Sequence, residues 1–184
     1  MNLTHKNYTQ IIYALNQGKI IAYPTEAVYG LGCDPLNESA VMDLLALKQR
    51  TVDKGLILIA SNLSQLEPYL QLDNEILSRI GNSWPGAVTW VIPCKNEVPH
   101  WLIGNRKTLA VRVSAHPIVK QLCDAYGKAL VSTSANLSGQ QPAINSAQVR
   151  TQLADFSITM VEGDVGQLKQ ATPIYDATDG QCFR

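Results

Sequence analysis

No apolar run in this sequence is longer than a β-strand. The run 56–60 is typical, whereas a helix that crosses a membrane needs roughly 20 apolar residues. Between such runs lie stretches whose apolar residues recur every three or four positions, the spacing of a helix that buries one side. Residues 4–17 carry Tyr8, Ile11, Ile12 and Leu15 in this way, with Gly18 as the stop. Residues 19–23 then read as a buried strand ending at Pro24, and 25–35 as a glycine-containing loop. The spacing of Val41, Leu44, Leu45 and Leu47 predicts a helix over 38–49, followed by a strand at 55–60. Two short helices are expected at 63–70 and 73–83, with Asn62 and Asp73 as N-caps. Strands are expected at 87–92, 108–113, 129–133 and 157–162. Helices are expected at 117–126, closed by Gly127, and at 146–153, with short segments at 173–177 and 181–184. Alternation of this kind predicts an α/β fold, one sheet with helices packed on it. The irregular strand spacing predicts a mixed sheet.

Composition narrows the class. The chain has 184 residues, the size of one domain spanning 1–184. Hydrophobic residues at 46% and charged residues at 16% exclude disorder as the main state. Fifteen Lys and Arg balance fifteen Asp and Glu. A generally basic coat for nucleic acid is therefore excluded, and RNA contact would need a local patch. Cys33, Cys94, Cys123 and Cys182 form no C-x-x-C pair, and His5, His100 and His116 form no H-E-x-x-H pattern. Scattered free thiols suit a reducing compartment. Residues 1–6 show no charged segment leading into an apolar run. A cytoplasmic protein with no membrane contact is the expectation.

Two phosphate motifs fail on inspection. Gly18-Lys19 has Tyr13 where a Walker loop needs glycine, and Ile20 where it needs Ser or Thr. Gly30 and Gly32 are followed by Pro35 where a dinucleotide fingerprint needs its third glycine. Other segments carry more chemistry. Residues 23–32, Tyr-Pro-Thr-Glu-Ala-Val-Tyr-Gly-Leu-Gly, place Thr25 and Glu26 at the carboxyl end of a strand, where ligands dock in open α/β sheets. Taken alone, this segment is better explained as an ordinary strand-to-helix connection with two turn glycines. Lys48, Arg50 and Lys54 cluster at a helix end, where the dipole favours cations. In an extended chain Lys48 and Arg50 would share a side, converge on one anion and lie exposed. Residues 130–139 run from an apolar strand into Ser132, Thr133, Ser134, Asn136 and Ser138, more hydroxyls than a turn needs. Arg112 lies inside an apolar strand, so it is either ion-paired or faces an anion site. Trp84-Pro85-Gly86 reads as a turn with a core anchor.

Together these segments resemble the YrdC family, in order and over nearly the whole chain. The match is to its short bacterial form, the TsaC-type threonylcarbamoyl-AMP synthases. It rests on residues 23–32, on Lys-x-Arg at Lys48 and Arg50, on Trp-Pro-Gly at 84–86, on Val-Arg-Val at 111–113, and on Ser-Thr-Ser-Ala-Asn-x-Ser-Gly at 132–139. The resemblance implies an open twisted α/β sheet with a concave, positively charged face. It implies condensation of L-threonine, bicarbonate and ATP to threonylcarbamoyl-AMP and pyrophosphate, for modification of the tRNA adenosine beside the anticodon. Lys48 and Arg50 are then the expected catalytic pair. ATP or adenylate contacts are expected from Lys48, Arg50, Lys54, Arg112, Ser132, Ser134, Asn136 and Thr172. Threonine contacts are expected from Thr25, Tyr29 and Thr89. Mg²⁺ would arrive with the nucleotide, with no metal ligand from the protein. Expected partners are transient threonylcarbamoyl-transfer proteins and tRNA or double-stranded RNA on the concave face. Since the sequence stops at Arg184, the extra C-terminal domain of the longer branch is not expected.

The sequence departs from the family pattern at Thr51 and Ala87, where proline is common, and at Pro173, where the family often has a hydroxyl residue. Two other functions stay open. One is a non-enzymatic structured-RNA-binding or ribosome-maturation factor, against which zero net charge argues. The other is a carbamoyl- or acyl-phosphate enzyme that takes a different amino acid.

Overall fold

A computed structural model describes residues 5–184; residues 1–4, where the expected first helix and the signal-free stretch begin, lie outside it. The elements follow the order α1 (His5–Asn16), β1 (Ile21–Pro24), β2 (Tyr29–Gly32), α2 (Glu38–Leu47), β3 (Ile57–Ala60), α3 (Asn74–Gly81), β4 (Thr89–Pro93), α4 (His100–Ile103), β5 (Thr108–Val113), α5 (Pro117–Tyr126), β6 (Leu130–Ser134), α6 (Ser146–Gln152), β7 (Thr159–Met160) and β8 (Ile174–Asp176). The strands form one sheet in the order β7-β1-β2-β6-β3-β5-β4-β8. It is mixed, as expected. β1/β7, β3/β5 and β4/β8 pair parallel, and β1/β2, β2/β6, β3/β6 and β4/β5 pair antiparallel.

Two expectations are corrected. The 25–35 segment is not all loop, because Tyr29–Gly32 doubles back as β2 on β1. The 63–70 helix shrinks to a single 3₁₀ turn, Leu63–Gln65. Pro68 supplies no N–H and blocks the next helical turn. Residues 181–184 fold back on β8, with Phe183 N donating to Ile174 O at 2.8 Å, Ile174 N to Arg184 O at 3.0 Å and a bridge from Cys182 to Tyr175. The short helix α4, four residues after Pro99, was not expected.

The period of two along each strand divides the buried residues between two faces. On one face Ala22, Leu31, Leu58, Val111 and Val131 pack under α2 through Val41, Leu44 and Leu45. On the other, Ile21, Tyr23, Ile59 and Leu130 pack under α1 and α5 through Ile11, Leu15, Val119 and Leu122. Asn37, Asp73 and Asn145 cap α2, α3 and α6 with side-chain oxygens, and Gly127 closes α5 in the left-handed conformation.

Gly32 is required for the sheet to close. A Cβ there would lie 2.3 Å from the Val131 carbonyl oxygen and 2.9 Å from the Tyr23 ring. Gly32→Ala is expected to destabilise the fold by about 2 kcal/mol through overpacking between β2 and β6. Urea unfolding of this variant is the check, and an unchanged midpoint would show that the strands part freely.

Because β7 and β8 are opposite edges of the sheet, the chain between them must cross a whole face. Residues 161–173 do so as an extended strap. Gly166 N donates to Thr25 O at 2.9 Å, and Leu168 N donates to Glu26 O at 3.1 Å. Glycine lets the strap lie this close, since a Cβ at Gly166 would meet Glu26 O at 2.6 Å.

Candidate functional site

Residues directly opposite on neighbouring strands point to the same side of a sheet. Val91, Ala110, Ile57 and Ser132 are opposite one another across β4, β5, β3 and β6. Gly30 is opposite Ser134. Arg112, one pair further along than Ala110, shares that side. These residues form the floor of a cavity of about 830 Å³, on the part of the face that α1 and α5 leave bare. The strap contributes Lys169, Gln170, Ala171 and Thr172 to the rim, and the 132–142 loop contributes Gln141 and Pro142. Among the lining residues, Arg50, Lys54, Arg106, Arg112, Lys169 and Arg184 are cationic and Asp176 is the one carboxylate. The concave positive face thus exists as a local patch on a chain of zero net charge.

Arg112 is both alternatives at once: ion-paired and facing the cavity. Leu109, Val111 and Val113 turn into the main core, which leaves Ala110 and Arg112 on the cavity side. The Arg112 Nη1 atom donates to Thr172 Oγ1 at 2.8 Å and to Thr89 Oγ1 at 3.4 Å. Nη2 lies 3.4 Å from Glu26 Oε2. Glu26 Oε1 accepts from Ser114 Oγ at 2.5 Å.

Lys48 departs most from expectation. It is buried, not exposed, and is not among the cavity-lining residues. Its Nζ donates to Ser134 O at 2.7 Å, Asn136 O at 2.6 Å and Asn136 Oδ1 at 2.8 Å. Burial first, and then the charge of Arg50, push its ammonium down to about 8. Helix α2 ends at Leu47, Lys48 caps it, and Gln49 takes a positive φ of 48°. That turn sends Lys48 under the hydroxyl-rich loop and Arg50 into the cavity, so the two do not converge. Arg50 Nη2 donates to Gly55 O at 2.7 Å and Lys54 O at 3.3 Å.

Asn136 is likewise engaged within the protein. Its Oδ1 accepts from Lys48 and from Ser134 Oγ, and its Nδ2 donates to Leu137 O and Gln140 O at 2.9 and 2.8 Å. With its amide fully used, it braces the loop and does not line the cavity. Thr89 is wholly buried behind Arg112 and is likewise outside the lining. Tyr29 lines the cavity, but its hydroxyl donates to Gly163 O at 2.5 Å and accepts from Gly163 N at 3.2 Å, which ties it to the strap. Thr25, Ser132, Ser134 and Thr172 line the cavity, and Thr25 Oγ1 donates to Val28 O at 2.7 Å.

Residues 13–184 match the family described as telomere recombination, whose model is that of the Sua5, YciO and YrdC proteins. The chain belongs to this family. It is 53% identical over 180 residues to the threonylcarbamoyl-AMP synthase of Photorhabdus laumondii, covering 96% of this chain and 95% of that one. It superimposes on P. abyssi Sua5 complexed with L-threonine with a TM-score of 0.89 at 28% identity, over 97% of this chain and 53% of that one. The chain therefore spans about half the length of that Sua5 protein. On E. coli YciO the TM-score is 0.84 at 28% identity, over 95% and 85% of the two chains.

This Sua5/YciO/YrdC member draws cationic groups from segments that its motifs do not mark. Arg106 follows α4, Lys169 rides on the strap, and Arg184 donates through Nε and Nη2 to Thr172 O at 3.2 and 3.0 Å. Only the crossing of the strap brings them together, so no local spacing announces them. Of the family departures, Pro173 does not remove Thr172 from the site, because the Pro173 carbonyl accepts from Thr89 N at 3.0 Å and fixes that turn.

Proposed function

We propose that this chain is a threonylcarbamoyl-AMP synthase, a nucleotidyltransferase in which residues 1–184 act as one domain. The observation that carries this reading is one cavity with a cationic rim, whose floor sets Arg112 beside the hydroxyls of Ser132 and Ser134. The threonylcarbamoyl-AMP synthase relative and the threonine-bound Sua5 structure support it. The amine of L-threonine attacks bicarbonate and water leaves, giving a carbamate. A carbamate oxygen attacks the α-phosphorus of ATP, the bond to the β-phosphate oxygen breaks, and pyrophosphate departs. This displacement needs two anions held in line and the phosphate charge offset, with little covalent help from the protein.

The chain supplies these needs as follows. Arg50, Lys54 and Arg112 offset the polyphosphate charge. Ser132 and Ser134 donate hydroxyls to phosphate oxygens. Thr172 Oγ1 accepts from Arg112, which leaves its proton for a ligand oxygen. Thr25 Oγ1 spends its proton on Val28 and offers a lone pair to the threonine amine. Lys48 and Asn136 act one step back by shaping the loop that carries Ser134. Mg²⁺ would enter with the triphosphate. Among the described residues no three His, Cys, Asp or Glu side chains gather to hold a metal, so the residues present do not fit a resident ion and no step runs through one. The adenylate would pass in the cytoplasm to threonylcarbamoyl-transfer proteins acting on tRNA.

The test is pyrophosphate release from ATP with L-threonine and bicarbonate each supplied or withheld. Release that needs both, with an adenylate of matching mass, is expected. Arg50→Ala should lower it about 100-fold, as losing one preorganised anion contact does, while melting stays within a few degrees. Release with another amino acid would move the substrate assignment, and none from folded protein would favour the RNA-binding reading.

A further inference from the structure

The pair between Arg112 and Glu26 is poorly made for one that serves only to hold strands together. Charge-assisted contacts built for stability run at about 2.7–2.9 Å and are often bidentate. Here the approach is 3.4 Å, and neither Glu26 Oε2 nor Arg112 Nε has a hydrogen-bond partner. Both residues are more than nine-tenths buried, at 8% and 6% exposure. Buried charged atoms left without partners are costly. The carboxylate cannot swing closer, because Ser114 Oγ holds Oε1 at 2.5 Å and itself accepts from His116 N at 3.1 Å. The backbone of Glu26 is fixed as well, by Leu168 N of the strap. One edge of the Arg112 guanidinium, Nε with Nη2, is thus left with a weak internal acceptor while its other end is fixed on Thr172.

We infer that Glu26 is an internal counter-anion that tunes the affinity of Arg112 for an incoming carboxylate or phosphate. Restrained at long range, it offsets the buried cation while the cavity is empty and competes with a ligand anion without matching it. It also repels that anion, so ligands leave once they have reacted. Glu26 touches no ligand; it is a positioning residue that acts through Arg112. The inference rests on the cavity binding anions, as the proposed function requires.

The experiment is calorimetric titration of wild type and Glu26→Gln with three probes: L-threonine, inorganic pyrophosphate and neutral adenosine. Glutamine keeps the size and an acceptor for Ser114 but removes the charge. Expected is binding about tenfold tighter for whichever anion lies on Arg112, the scale of one removed repulsion in partly screened surroundings, with adenosine unchanged. Turnover should show a lower KM and a lower kcat as product release slows, and ligand should raise the melting temperature of the variant by more than that of wild type. A threonine response assigns the anion as a carboxylate, and a pyrophosphate response assigns a phosphate. Equal affinities in the two proteins, or weaker anion binding by a folded variant, would overturn the role of Glu26 alone. Wild type that binds none of the three would overturn the anion site and the proposed function with it.

Discussion

Lys48→Ala is expected to lower the melting temperature by about 10 °C, the equivalent of roughly 3 kcal/mol in a chain of this size. Its ammonium is the shared donor for three oxygens on the 134–136 turn. Without it two carbonyls and an amide oxygen lose a charged partner in a buried place. The loop carrying Ser134 should loosen, so activity falls with stability. Thermal unfolding followed by circular dichroism reads the first effect and hydrogen exchange at 134–137 the second. Full retention of melting temperature with loss of activity would show that Lys48 works on the ligand and not on the loop.

Arg112→Ala should reduce kcat/KM about 1000-fold, the upper range for deleting one preorganised group that meets developing charge. It should also cost about 3 kcal/mol of stability, because Glu26 is left as a buried charge with no opposite partner. Arg112→Lys separates the two effects. It keeps the cation near Glu26, so stability should largely return. It lacks the planar fork, so activity should stay low. If the lysine variant turns over like wild type, charge alone is what the site requires of this position.

Much of the fold was legible because its local signals agree. The strand Thr108–Val113 alternates cleanly, and the helix Pro117–Tyr126 has proline at its start and glycine just past its end. Strand β2 was hidden because Gly30 and Gly32 have low strand propensity; Gly32 is there to admit the Tyr23 ring and the Val131 carbonyl. In the site, Thr25, Arg50, Arg112 and the Ser132–Ser134 hydroxyls reach the cavity as their motifs suggest. Lys48, Asn136 and Thr89, expected as ligand contacts, lie outside the cavity lining and are engaged by the protein itself. Sequence shows that a polar group is present but not whether another part of the protein already uses it. The left-handed Gln49, which parts Lys48 from Arg50, has no residue signature, since glycine or asparagine would be usual there. Arg106, Lys169 and Arg184 were invisible for a topological reason, since segments far apart in the chain meet only around the completed sheet.

The strand order also bears on how this chain is made. The first hairpin, β1 with β2, leaves the ribosome with two open edges. β2 waits for β6 at residues 130–134, and β1 waits for β7 at 159–160. Unpaired strand edges invite pairing with other chains. Nascent chains that stall before β6 should therefore be aggregation-prone clients of chaperones, and the cavity gains the wall made by Phe183 and Arg184 only after those residues have emerged.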